Sequence, residues 1–364
     1  MTPRARLGSC LAIVALLGAA HVHLKTAKIF ANPTWDARDE VGQFWSEFAF
    51  HYRFAKFFAA HHLRDWGQLA RDRAVQFPDT INDWAEFTVA MEVPVGVLYR
   101  WMYGAHLTLT LSPQAGRGDK PAFHVFVVWY DCVMSSLTLF AVFFLARALW
   151  RSDAAGVLAS ALYATLYPSY GRTVKNLFLR EDFAIPLIVF ALFFTVRGLQ
   201  AVGRVTDAAP REVTRPTTQI LAALFWLAAL SSWHLTQFVM APLILAAVLV
   251  YLGKGETPRL PWLVLTMAVG TVAIPVLRAK QVYLSPSMCA LYALSLAVWI
   301  NGGRKKAALV FACWLAAFLC LGALLQKSYG EYAHVYQLFF YKLRFLGVKP
   351  DDPSQLLWEA RVLW

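Results

Sequence analysis

Apolar residues in this chain come in long blocks rather than at the spacing of a surface helix or strand. Runs approaching the length of a membrane span occupy 7–24, 122–149, 154–170, 183–199, 219–232, 234–252, 260–277, 282–300 and 307–325. A hydrocarbon core about 30 Å thick takes about 20 apolar helical residues to cross. The blocks therefore predict an all-α integral membrane protein with about nine transmembrane helices, the shorter blocks having soft boundaries. The expected organisation is a first transmembrane anchor at 1–24, then a loop at 25–121 carrying amphipathic and interfacial helices. A bundle of about eight helices follows over 122–325, and 326–364 reads as the start of a truncated C-terminal domain. Arg4 and Arg6 ahead of an apolar run also suit a signal peptide. No small-residue cleavage site follows, so 1–24 reads as a retained anchor.

Positive charge orients the blocks. With the N-terminus in the cytoplasm, the inside connections carry Arg4 and Arg6; Arg147 and Arg151; Arg197, Arg204, Arg211 and Arg215; Lys254 and Arg259; and Arg304, Lys305 and Lys306. Every inside connection then holds at least two basic residues, as the positive-inside rule requires. The stretch "VPVGVLYRWMYGAHLTLTL" (93–111) is apolar enough for a further span, but inserting it inverts every later loop. It is read instead as an interfacial or re-entrant helix on the outer face.

Composition narrows the class. The chain is 59% hydrophobic and 15% charged, against about 45–50% and about 25% in soluble domains, which excludes an ordinary soluble fold. A net charge of +12 would suggest nucleic acid in a soluble protein; here it marks cytoplasmic loops and lipid head groups, and no nucleic-acid partner is expected. Five cysteines lie in or beside apolar runs without metal-ligand spacing and read as small core residues.

Three outer segments carry polar chemistry where it is costly. "FWSEFAFHYRFAKFF" (44–58) sets Glu47 and His51 four apart, hence on one helical face, among aromatic residues expected to seat the helix in the outer interface. "GRTVKNLFLREDFAIP" (171–186) brings Arg180, Glu181 and Asp182 against an apolar run. "SSWHLTQF" (231–238) places Trp233, His234 and Gln237 at a kink between two blocks. Taken singly, Glu47 reads equally as a solvated residue and the Arg180-Glu181-Asp182 group equally as a helix N-terminus, while His234 with Trp233 reads more readily as an interfacial pair than as a catalytic group. On one side of the membrane together, they outline a cavity.

At these segments the chain resembles the GT-C superfamily of polytopic glycosyltransferases, and within it the tryptophan C-mannosyltransferase (dumpy-19-like) family. "SEFAFHYRFAK" (46–56), "DTINDWAEFTVAMEVPVGVLYRW" (79–101), "LREDFAIP" (179–186) and "SWHLTQF" (232–238) follow that family's motifs in order, over roughly residues 40–255. The resemblance implies transfer of a sugar, mannose in that family, from a polyprenyl-phosphate carrier to a polypeptide acceptor at the luminal or periplasmic face. Glu47 would be the catalytic carboxylate and Arg180 the ligand of the carrier phosphate. His51, Glu181, Asp182, Trp233, His234 and Gln237 would line the sugar and acceptor pocket, and no cofactor is expected.

The oligosaccharyltransferase catalytic subunit is a sister resemblance. It implies a lipid-linked oligosaccharide donor and Mg²⁺ or Mn²⁺ held by Glu47, Glu181 and Asp182. Its Asp-Pro first-loop context and Trp-Trp-Asp motif are not found here. A transporter or assembly protein is the reading from another class. Against a transporter stands the clustering of ionisable residues at outer ends rather than inside the blocks. Alanine- and arginine-rich usage fits a bacterial inner membrane, and the topology fits the endoplasmic reticulum equally.

Overall fold

Thr2 starts the first helix: its hydroxyl accepts the Ala5 N–H at 3.2 Å, and Pro3 takes a first-turn position that has no use for an N–H. The computed structural model describes residues 2–36, 43, 44, 47–75, 79–104, 121–166, 177–203, 216–233, 235–254, 260–300 and 303–325. Among these no strand forms; Asp72 and Ile81 make an isolated antiparallel bridge. The helices fall into two compact units, residues 1–236 with 258–270 and residues 237–257 with 271–364.

In the first unit, α1 (Pro3–Phe30) packs on α5 (Phe123–Trp150) and α6 (Asp153–Thr165). Val14, Leu139 and Phe143 form the buried seam. Arg151 turns left-handed (φ 52°) between α5 and α6, and the Ser152 hydroxyl caps α6 by accepting the Ala155 N–H. A Cβ at Gly156 would meet the Phe143 ring at 2.7 Å, so only glycine lets the two helices approach this far. α7 (Arg180–Gly203) packs on α5 and on α8 (Pro216–Ser232). The side chain of Gln219 in α8 accepts the N–H groups of Trp262 and Leu263, capping α10 (Pro261–Ala273) from outside.

The second unit holds most of α9 (Thr236–Lys254), the short α11 (Pro275–Ala279), α12 (Pro286–Ile300) and α13 (Gly303–Leu325). Tyr251 donates its hydroxyl to the Ala297 carbonyl at 2.9 Å, and α12 packs along α13.

Helices stand at all nine predicted block positions. Among the described residues, four are long and apolar enough to cross a membrane: Arg4–Phe30, Phe123–Trp150, Arg180–Leu199 and Thr236–Gly253. Apolar helices at Pro216–Ser232, Pro261–Ala273, Pro286–Ile300 and Ala308–Gly322 are shorter, and α6 has only 13 residues. At a rise of 1.5 Å per residue these fall short of about 30 Å, except that Ala308–Gly322 is the apolar part of the 23-residue α13. Nine full-length spans therefore do not follow from the helix lengths.

The segment after α1 folds as expected in kind but differs in what its aromatics do. α2 (Glu47–Ala60) buries one face, Phe48, Tyr52, Ala55 and Ala59, against α4 (Glu92–Tyr103) and the start of α5. A second face, Phe54 and Phe58, packs on Leu69 and Val89, with Trp66 and Trp84 alongside. These rings fill a protein core instead of seating the helix in lipid. The predicted interfacial helix at 93–111 is α4, which ends at Tyr103; residues 105–120 lie outside the described part, as do 326–364. Gly96 sets the α2–α4 distance, because a Cβ there would stand 2.6 Å from both the Ala55 carbonyl oxygen and Phe58 Cβ.

A 3-10 helix (Leu63–Arg71) and α3 (Asp83–Glu86) flank the Asp72–Ile81 bridge. Arg53 of α2 reaches Asp72 from one side, and the buried Asp83 lies on the other. Burial lifts the Asp83 carboxyl to about 7, helped by the Asp72 carboxylate and opposed by Arg53. Burial works to raise Asp72 as well, but Asp83, the Ala74 N–H at 2.7 Å and Arg53 outweigh it and hold Asp72 below the ordinary carboxylate value.

Two expectations follow. Gly96→Ala should lower the thermal midpoint in detergent, overpacking of this kind costing about 1–3 kcal/mol; an unchanged midpoint would mean that α2 and α4 are not this close. For Asp83, the unfolded carboxyl gives up its proton near 3.8 and the folded one near 7, so the folded state holds the extra proton between them. Its contribution is complete at low pH and is lost as pH rises toward and through that upper value. The midpoint of Asp83→Asn relative to wild type should therefore climb with pH across this window, and a pH-independent difference would refute the assignment.

Candidate active site

His51 lies in the middle of α2, one helical turn after Glu47, and is fully buried. Burial of an imidazole requires that its nitrogens find partners. Its Nδ1 meets the carboxylate of Glu92, the first residue of α4. Its Nε2 meets Arg180, the first residue of α7, whose Nε lies 2.6 Å away. Arginine keeps its protons at any ordinary pH and has none to accept with, so Nε donates and His51 Nε2 must accept. The ring proton therefore sits on Nδ1 and is donated to Glu92. A three-residue chain results, Glu92–His51–Arg180, drawn from three helices and sealed at the Glu92 end. Glu92 also occupies the first turn of α4, where the helix dipole favours an acidic side chain.

Beyond Nε, the two terminal nitrogens of Arg180 have no acceptor among the described residues, and the residue is only half-buried. Arg180 lines an open pocket of about 70 Å³. Phe48 and His51 of α2, residues 178–181 and Trp233 form its wall. Trp233 follows α8 directly, its N–H bonded to Ala229, and its carbonyl accepts the Thr236 N–H at 3.1 Å. The pocket thus presents a guanidinium with unspent donors, an acid in Glu181, and aromatic walls. Such a site suits an anion attached to an apolar or planar group.

The predicted site residues divide on this geometry. His51, Arg180, Glu181 and Trp233 come together. Asp182 does not line the pocket: one residue further along α7, about 100° around the helix, it lies 3.9 Å from Lys25 of α1. Gln237 is buried in the second unit and belongs to no site described here. Glu47 opens α2, but its side chain, like the whole of His234, lies outside the described part. Among the described residues no three acidic, histidine or cysteine side chains gather as a metal site would require.

Sequence reading missed Glu92, Lys25 and Asp131. Asp131 lies inside α5, 3% exposed, and its Oδ2 accepts the Phe178 N–H at 3.2 Å. Lys25 is completely buried and donates to Ser135 Oγ at 2.6 Å. The expectation that ionisable groups keep to the outer ends of the blocks is corrected for Asp131, which lies inside the 122–149 block, while Lys25 stands just past the end of the 7–24 block. A lone acid in the 122–149 block was the available signal, since such residues are functional suspects by default. Glu92 had no local signal beyond its place in "MEVPVGV", because its partner is 41 residues away.

The tautomer can be read directly. Nitrogen NMR of histidine-labelled protein should show His51 protonated at Nδ1 and bare at Nε2; a proton on Nε2 would break the chain described.

The sequence model of the family described as "Dpy19: Q-cell neuroblast polarisation" matches residues 37–346, which is most of the chain and all of the pocket. No match is found among the curated proteins.

Proposed function

The chain belongs to the Dpy19 family, the C-mannosyltransferase family of membrane glycosyltransferases, and from this we propose that it joins mannose from a polyprenyl-phosphate carrier to a tryptophan side chain of a polypeptide. The reaction would take place at the outer face of a bacterial inner membrane or of the endoplasmic reticulum, with the N-terminus in the cytoplasm. The observation that carries the proposal is Arg180: its Nε is spent on His51, its terminal nitrogens have no acceptor among the described residues, and the residue lines an aromatic-walled pocket.

In the proposed reaction the indole C2 attacks the anomeric carbon. The bond from that carbon to the phosphate oxygen breaks, and its electron pair leaves with the carrier. The carrier arrives as a singly charged phosphodiester and departs as a phosphomonoester with a second negative charge, which the Arg180 fork would stabilise as it develops. The C2 proton then goes to a carboxylate, which restores the indole. Glu47, one turn before His51, is assigned that role, and a carboxylate in a partly dry site is a suitable base. Trp233 and Phe48 offer flat apolar surface to sugar or indole, and Glu181 can accept from sugar hydroxyls.

The test supplies radiolabelled mannosyl-phosphate-polyprenol and a tryptophan-containing peptide to purified protein, with and without chelator. Label on tryptophan in both arms is expected, with Glu47→Gln lowering the rate by about 10²–10⁴-fold, the usual loss for a general base. Full activity of Glu47→Gln would remove Glu47 from the mechanism. Transfer to asparagine that stops when chelator is added would instead establish the oligosaccharyltransferase-like, metal-dependent reaction.

A further inference from the structure

We infer that Asp131, which does not line the pocket, is a positioning residue that fixes the direction of Arg180. This inference rests on the reading of Arg180 as the carrier-phosphate ligand. The chain enters α7 through Phe178, a non-glycine residue in the left-handed region at φ 63°. An L side chain adopts that conformation only where its surroundings impose it. Here the imposing groups are visible. The Phe178 ring and the Leu179 side chain are buried in the same cluster as Phe48 and Tyr52. The Phe178 N–H, pointing into the protein, is taken by Asp131 Oδ2 across 47 residues of sequence. The next turn closes as the Asp182 N–H bonds the Leu179 carbonyl at 3.1 Å.

An acidic side chain serves here with or without its proton, because either form keeps an oxygen to accept the N–H. Lys25, itself fixed by Ser135, stands beside Asp182 and acts on Asp131 as well. Removing the acceptor leaves the Phe178 N–H buried and unpaired, and the left-handed turn then loses its main restraint. Arg180 is two residues along the chain, so a relaxed turn swings its guanidinium off His51 Nε2 and away from the pocket. Lys25, Asp131 and Asp182 therefore act on the outer pocket from inside the bundle without touching what it binds.

The experiment compares Asp131→Asn, which keeps an oxygen acceptor, with Asp131→Leu, which does not. Each is read for donor KM, kcat and the His51 nitrogen signals. Asp131→Asn should stay within about threefold of wild type in donor KM, since a neutral acceptor retains much of the bond. Asp131→Leu should raise donor KM by about tenfold, the order of loss when a buried N–H is left without its acceptor. It should also move the His51 Nε2 signal toward that of a ring without a donor. In an Arg180→Gln background, Asp131→Leu should add less than about twofold to donor KM, because coupled residues are non-additive. Equal effects in both backgrounds, or an unmoved His51 signal in folded Asp131→Leu, would overturn the inference. If Asp131→Leu does not fold, Asp131→Ser takes its place in the same comparisons. Arg180→Gln with unchanged donor KM would overturn the phosphate reading alone, and the His51 signal would still decide the positioning role.

Discussion

Everything at this site depends on how a permanently charged guanidinium is kept at the edge of an apolar bundle. Arg180 cannot shed its charge, and desolvating it without partners is prohibitively costly. The fold meets that requirement on one side only: Nε is bonded through His51 to Glu92, and the remaining donors, on a residue that lines an open pocket, have no acceptor among the described residues. Successive residues at the head of α7 then serve different neighbours. Arg180 faces α2, Glu181 the pocket and Asp182 the lysine of α1. One helical turn thereby ties together the elements that surround it.

The aromatic helix α2 makes this possible by packing on two sides at once. Its Phe48 face belongs to the core that reaches α5 and residue 178, while its Phe54 face closes over the 3-10 helix. With both faces occupied, rotation of α2 is blocked and His51 is held between the two partners it must join. Gly96 contributes by absence, bringing α4 close enough for Glu92 to reach the ring.

How much of this was legible in the sequence follows from the range of the interactions. Helix positions were readable because apolar blocks are a local property, although α7 begins at Arg180, ahead of the 183–199 block, since the polar residues there form its first turn. Arg180, Glu181, Trp233 and His51 were readable as polar or aromatic groups at the mouths of blocks. Asp182 was misplaced because adjacency in sequence does not give a shared direction on a helix. Glu92 and Asp131 were not found, since each acts on a residue more than 40 positions away. The aromatics of α2 were assigned to the lipid because sequence gives their hydrophobicity but not the helix that covers them.

The Glu92–His51 pair has a consequence for turnover. Under the proposed chemistry the carrier gains a negative charge as it is released, so an isolated arginine would grip product more firmly than substrate. A carboxylate relayed through one imidazole withdraws part of the guanidinium's field from the pocket, and it does so more effectively for the doubly charged species. The buried acid that anchors the arginine would then also hasten its parting from the spent carrier, trading some affinity for a faster cycle.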